Sequence, residues 1–231
     1  MNKYSPLQGW LDRTDSLTSF IDLECRPPSY EYGGFLSLDV VLPVHGSVNL
    51  AAESLSTSWT RTHEYVRESL AIIDAEEPLW LDREEVQMIK SKLGEPPPLS
   101  YPIYILSVSD DKSERAVYIG KTSSEKGRFR GGHAAITKLH NPKYDGLTKR
   151  LYLGGIVLLA DDKEYQPLEW VKPLAKAMEI LNSIEKQLIY RFQPELNTKH
   201  KKHYNVKVPV SIHIQNSSGE TEFLHDQFVW I

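Results

Sequence analysis

The sequence predicts an α+β fold, on three observations. Two short apolar runs, "YPIYILSV" (101–108) and "AVYIGK" (116–121), flank the polar turn "SDDKSER" and read as consecutive strands. A third run, "LYLGGIVLLA" (151–160), is apolar enough for a buried strand. "KPLAKAMEILNSIEKQLIYRFQP" (172–194) carries a long helix, with Pro173 suited to its first turn and Pro194 beyond its end.

The remaining elements follow in chain order. "GGFLSLDVVLPVHGSVNL" (33–50) alternates and is β-branched enough for one or two strands. In "SWTRTHEYVRESLAII" (58–73), Trp59, His63, Val66, Leu70 and Ile73 recur at helical spacing. His63 on that face reads as a hydrogen-bonded boundary histidine. Asp82 suits the N-cap of a second helix through Val86, Ile89 and Leu93, stopped by Gly94. A basic helix is expected over residues 124–140, weakened by Gly131 and Gly132. The tail, "NVKVPVSIHIQNSSGETEFLHDQFVWI" (205–231), reads as two strands around "NSSGE". The proline-rich "EPPPLS" (95–100) marks a joint. It divides an N-terminal extension, 1–95, from a core, 100–203, and a C-terminal hairpin, 204–231.

Of the 231 residues, 40% are hydrophobic and 25% charged, enough to bury a core and too polar to fill a bilayer. The start is broken by Pro, Gly and charges and lacks a signal-peptide apolar segment, so a cytoplasmic protein without a membrane partner is expected. A single cysteine, Cys25, excludes an intrachain disulfide and a Cys-based zinc site. The net charge of −4 conceals an asymmetry: residues 1–100 hold 8 Lys+Arg against 16 Asp+Glu, and residues 112–150 hold 10 against 3. So local a surplus fits either a solvated basic face or a polyanion partner.

On the long helix, Leu174, Met178, Leu181, Leu188 and Phe192 form an apolar stripe with Glu185 in its middle. A carboxylate there needs a partner, either an ion pair with Arg191 or a strand residue, or a bound cation.

Taken in order, "PIY" with Tyr104, "YIG" at 118–120, Arg128 ten residues after Tyr118, His133, the helical Glu185 and Asn197 in "QPELN" resemble the GIY-YIG nuclease superfamily over roughly residues 101–200. Pro102 stands where the usual glycine would be, and His133 follows Arg128 by five residues where four is the more usual step. The resemblance implies a small three-stranded antiparallel sheet flanked by helices. It also implies a metal-dependent endonuclease acting on double-stranded DNA.

By the same resemblance Glu185 holds one Mg²⁺ or Mn²⁺ ion and Arg128 contacts the scissile phosphate, with Arg130 as the alternative arginine. Tyr104 takes the proton from the attacking water, which a phenol can do only where neighbouring positive charge, such as Lys121, favours its anion. Tyr118 orients water or phosphate, and His133 relays a proton or contacts the backbone. Gly120 admits a close approach or simply turns the chain. Asn197 pins the loop after the helix or contacts substrate indirectly.

Lys199, Lys201, Lys202 and Lys207, with His200 and His203, follow the site and read as phosphate contacts that position a duplex. Superfamily members with extensions of this scale include restriction enzymes, which act as dimers or tetramers. A type II restriction or phage-defence nuclease, as a homodimer or higher oligomer, is therefore expected, with residues 1–95 serving an interface, specificity or regulation. The alternatives are a nucleic-acid-binding module with weak or lost cleavage and a structure-specific repair nuclease.

Overall fold

The alternation of "GFLSLDVVLP" yields one strand, β1 (Gly34–Pro43), which runs into a 3-10 turn, Val44–Asn49. In the computed structural model, which describes residues 4–17, 33–49, 53–76, 80–122, 133–159, 165–202 and 206–230, this strand lies in the middle of a sheet. The others are β2 (Ile103–Ser109), β3 (Glu114–Lys121), β4 (Thr148–Leu159), β5 (Tyr165–Pro167), β6 (Ile212–Asn216) and β7 (Gln227–Val229). Their order is β3-β2-β4-β1-β6-β7, and β5 pairs with the end of β4. All pairs are antiparallel except β1 with β6, which is parallel.

The fold is thus α+β, but the expected three-stranded sheet is only part of a seven-stranded one. β2, β3 and β4 are the three anticipated strands. The sheet grows because β1 pairs along its length with β4 and offers its other edge to β6 of the C-terminal hairpin. The proline-rich joint therefore interrupts no core. Leu36 and Leu38 of β1 share one buried cluster with Ile103, Ile105, Ile119 and Ile156.

Five helices accompany the sheet among the described residues: α1 (Gln8–Leu11), α2 (Leu55–Ile73), α3 (Arg83–Leu93), α4 (Ala134–Lys138) and α5 (Leu174–Phe192). Local sequence explains their ends. Ser54 caps α2 by accepting from Thr57 N–H. Asp82 and Glu85 form a capping box on α3, and Gly94 ends it in the left-handed region at φ 77°. The expected basic helix falls largely on residues outside those described. Within them it is the short α4, which starts after His133.

α5 buries Ala177, Ile180, Leu181, Ile184 and Leu188 against one face of the sheet. That face is centred on Ile180 and Ile184, which the narrower expected stripe left out. Glu185 consequently stands at the margin of the buried face, not in its middle. The opposite face of β2, β3 and β4 carries a second cluster, with Tyr104, Leu106, Val108, Leu151 and Leu153 packed on Ala135, Leu139 and Tyr144. A bulge between Leu38 and Val40 switches sides, so Val40 joins this second cluster.

Trp10, Tyr65, Val66, Ile89 and Trp170 form a third cluster among α1, α2, α3 and the 3-10 turn Leu168–Trp170. At its border Glu169, 1% exposed, accepts hydrogen bonds from Ser58 Oγ (3.0 Å), Ser100 N–H (2.9 Å) and Ser100 Oγ (2.6 Å). Burial pushes its carboxyl above the ordinary range, against the pull of those donors. His63 bonds the Glu169 carbonyl at 3.0 Å and stacks on Trp59, the boundary role its helix position suggests.

A chain lacking residues 1–95 loses β1, and with it the strand that joins β4 to β6. We expect that truncation to be insoluble or to lose its far-ultraviolet strand signal; a soluble fragment with native-like circular dichroism would contradict the shared core.

Candidate active site

The pairing of β2 with β3 sets Tyr104 directly opposite Gly120. Both face the α4 side of the sheet, as does Tyr118 two residues before Gly120. The Tyr104 phenol lies where a side chain at position 120 would be. A Cβ there would sit 2.5 Å from Tyr104 Oη and 2.8 Å from Tyr118 Cε1. Gly120 is therefore a strand residue and not a turn residue. Its missing side chain is the space that Tyr104 fills.

Tyr104 is fully buried. Its ring lies 5.9 Å from that of Tyr118, and both meet the His133 ring edge-on, at 5.5 and 5.4 Å. Tyr104 Oη bonds His133 Nε2 at 2.9 Å, and Ala135 N–H donates to His133 Nδ1 at 3.2 Å. A backbone N–H can only donate, so Nδ1 accepts. The neutral ring then carries its proton on Nε2 and donates it to Tyr104. The bond ties the buried phenol to the imidazole.

Tyr118 and His133 form one wall of a cleft of about 510 Å³. Glu185 and Ile189 of α5 form another, and Leu196, Asn197, Lys199 and His200 a third. Tyr104 is not part of the lining; it stands behind His133. Lys138 of α4, one of the cations in the basic surplus that the motif does not single out, also faces the cleft.

Glu185 found the strand partner that its position on the helix required. Lys121 Nζ lies 3.1 Å from Glu185 Oε2 and also contacts Asn182 Oδ1, one turn earlier on α5. Lys121 is thus committed to the carboxylate in this arrangement. No group of three or more His, Cys, Asp or Glu among the described residues is placed to hold a metal ion. The donor set around the cleft is one hard carboxylate open to water, which suits an ion that keeps most of its hydration shell, as Mg²⁺ does. On that chemistry the residues fit Mg²⁺ or Mn²⁺, with Lys121 as the competing cation.

Asn197 is used by the protein itself. Its Oδ1 accepts from Ile119 N–H at 2.9 Å and its Nδ2 donates to Ile119 C=O at 2.8 Å, so the side chain pairs with the free edge of β3 like one more strand residue. Leu196 N–H adds a bond to Val117 C=O at 2.9 Å. Of the two roles open to Asn197, pinning the loop is the one its bonds describe.

Glu195, which the motif does not flag, clips the same loop from outside. It accepts from Arg115 Nη1 (2.8 Å), Lys143 Nζ (2.9 Å) and Tyr144 Oη (2.7 Å). Partial burial alone would raise its pKa; the three donors outweigh that and hold the carboxyl at about 2.

The remaining expected phosphate contacts separate. Lys199 is exposed and borders the cleft, and Lys202 is exposed but not part of its lining. Lys201 Nζ donates to the Pro194 carbonyl at 3.1 Å, closing the end of α5, and Lys207 lies 3.8 Å from Glu179. His200 faces the cleft, where burial and then the charge of Lys186 hold its imidazole below the ordinary value. Arg128, Arg130 and His203 lie outside the described residues.

Comparison of the chain with protein families, with curated proteins and with solved structures returns no match in any of the three. The likeness to GIY-YIG nucleases is therefore a resemblance of residues and their order in the sequence.

Two predictions follow from the packing. Gly120→Ala forces the Tyr104 ring off His133 and costs about 1–3 kcal/mol by overpacking, measurable by urea denaturation; unchanged stability would mean that the ring moves aside freely. The second concerns Glu195, whose carboxyl is depressed from 4.5 to about 2 in the folded chain. Its contribution is present above the unfolded value and is lost as pH falls through the folded one. The stability difference between the native chain and Glu195→Gln should hold above pH 4.5 and fade towards pH 2. A difference independent of pH across that window would remove the carboxylate from the account.

Proposed function

We propose that the chain is a metal-dependent endonuclease of the GIY-YIG kind that hydrolyses phosphodiester bonds in DNA. One observation carries the reading. Tyr104, Tyr118, Gly120 and His133, drawn from two strands and a helix N-terminus, interlock on one side of a cleft that has Glu185, from the distant α5, on the other.

Hydrolysis needs an aligned water, neutralisation of phosphate charge and relief of the leaving oxygen. Tyr118 lies on the cleft wall and orients the water or a phosphate oxygen. His133 is fixed on both ring nitrogens, which sets its orientation and keeps Nε2–H on Tyr104. Tyr104, fully buried, accepts the Nε2–H bond and so fixes the imidazole beside the cleft. From its buried position its share in proton removal is exercised beside His133, so the cleft-facing part of that task belongs to Tyr118 and His133. Lys138 and Lys199 supply charge to the nucleic-acid backbone.

Glu185 is the residue that would hold Mg²⁺ or Mn²⁺. Such an ion supplies Lewis-acid stabilisation of the phosphate and of the leaving oxygen. The basic surplus of residues 112–150 favours a nucleic acid over a small phosphoester. Action within restriction or phage defence, and assembly as a homodimer or higher oligomer, belong to this proposal through the resemblance alone.

Cleavage of supercoiled plasmid DNA with Mg²⁺ or Mn²⁺, compared between the native chain and Glu185→Gln, is the test. The variant should lose on the order of 10²-fold or more in single-turnover rate, while its affinity for duplex DNA by anisotropy stays near native. Cleavage by Glu185→Gln at the native rate would contradict the assigned centre. Absence of any cleavage by a native chain that still binds DNA would instead favour a binding module, in which Lys121 holds Glu185 permanently.

A further inference from the structure

His133 is a wall shared by two hollows. Beyond the cleft, on its other side, lies a groove of about 600 Å³ between the 3-10 turn after β1, helix α4 and the start of β4. Val44, Ile136 and Leu147 make its apolar lining, and His45, His140 and Lys149 contribute the nitrogen groups. Among the described residues no carboxylate borders it, whereas Glu185 borders the neighbouring cleft. The imidazoles do not form a metal-holding group among the described residues. The size is that of a pocket for one small organic ligand, mostly apolar with a few polar groups at fixed places.

We propose that this groove is a nucleotide subsite. It takes the nucleotide beside the phosphodiester in the cleft, with the base unstacked onto Val44, Ile136 and Leu147 and its phosphate at Lys149 and His140. The inference rests on the phosphodiesterase reading of the cleft.

Three features favour that occupant over an apolar peptide or a second copy of the chain. A base presents a flat apolar face together with an anionic backbone, and the groove pairs an apolar lining with a lysine and histidines. No carboxylate among the described residues borders the groove to repel a phosphate. Continuity through His133 puts the groove next to the reacting bond, where a polynucleotide chain must pass. An unstacked base costs least where the duplex is already open. The subsite therefore favours mismatched or single-stranded DNA beside the cut.

The test uses the full chain and two substitutions outside the Tyr104–His133–Glu185 arrangement, Leu147→Trp to fill the groove and Lys149→Glu to reverse its charge. Methyl NMR of Val44, Ile136 and Leu147 during titration with deoxyadenosine monophosphate reads the subsite directly. Anisotropy with a labelled single-stranded DNA oligonucleotide reads its share of affinity. We expect the three methyl signals to move with the native chain and to stay fixed in Leu147→Trp. Each variant should weaken oligonucleotide binding on the order of tenfold, with circular dichroism unchanged.

Immobile methyl signals, or variants that bind the oligonucleotide as the native chain does, would overturn the subsite even if plasmid cleavage is observed. Moving signals and weakened variants in a chain that cuts no plasmid would keep the subsite and remove the nuclease reading.

Discussion

The candidate site depends on a missing side chain. With no Cβ at Gly120, the Tyr104 phenol can lie over the β3 backbone, and its hydroxyl is brought to His133. That one bond connects the sheet to the first residue before α4. It fixes the imidazole that separates the cleft from the groove beyond it. Tyr118 packs edge-on against the same imidazole and completes the wall. Any side chain at position 120 disturbs all three aromatic residues together.

The second wall is held by bonds that serve the scaffold first. β3 is an edge strand, and an exposed edge presents unpaired backbone groups. Asn197 satisfies two of them at Ile119, and Leu196 a third at Val117. The loop after α5 is thereby bound to the strand that carries Tyr118. Lys121, at the end of that strand, reaches across to Glu185. Polar pairing that protects the sheet edge is also what forms the cleft. Among the described residues, the carboxylate that borders it, Glu185, is counterbalanced by a cation that a metal ion would have to replace.

Much of this was legible in the sequence, for local reasons. The N-cap at Asp82, the stop at Gly94, the β2–β3 hairpin and the span of α5 follow from short-range patterns, and the structure places each where those patterns lie. The order of Tyr104, Tyr118, His133, Glu185 and Asn197 selected residues that do meet around one cleft or stand directly behind it. Long-range pairing was not legible. Alternation marks β1 as a strand but carries no information on its partners, β4 and β6. Nothing periodic marks Glu169 or Glu195, each in a short non-repeating segment and defined by donors from distant elements. The spacing of Leu174, Met178, Leu181, Leu188 and Phe192 brackets Glu185, whereas the face that is buried is centred on Ile180 and Ile184, outside that spacing.

The central claim is that Glu185, Tyr118 and His133 border one metal-binding cleft. Paramagnetic broadening by Mn²⁺, followed on the histidine and tyrosine ring signals, measures this without requiring turnover. The account predicts broadening of Tyr118, His133 and His200 at low Mn²⁺, little effect on His213 in the distant β6, and loss of the pattern in Glu185→Gln. Broadening that is equal in native and variant chains, or confined to histidines outside the cleft, would contradict it.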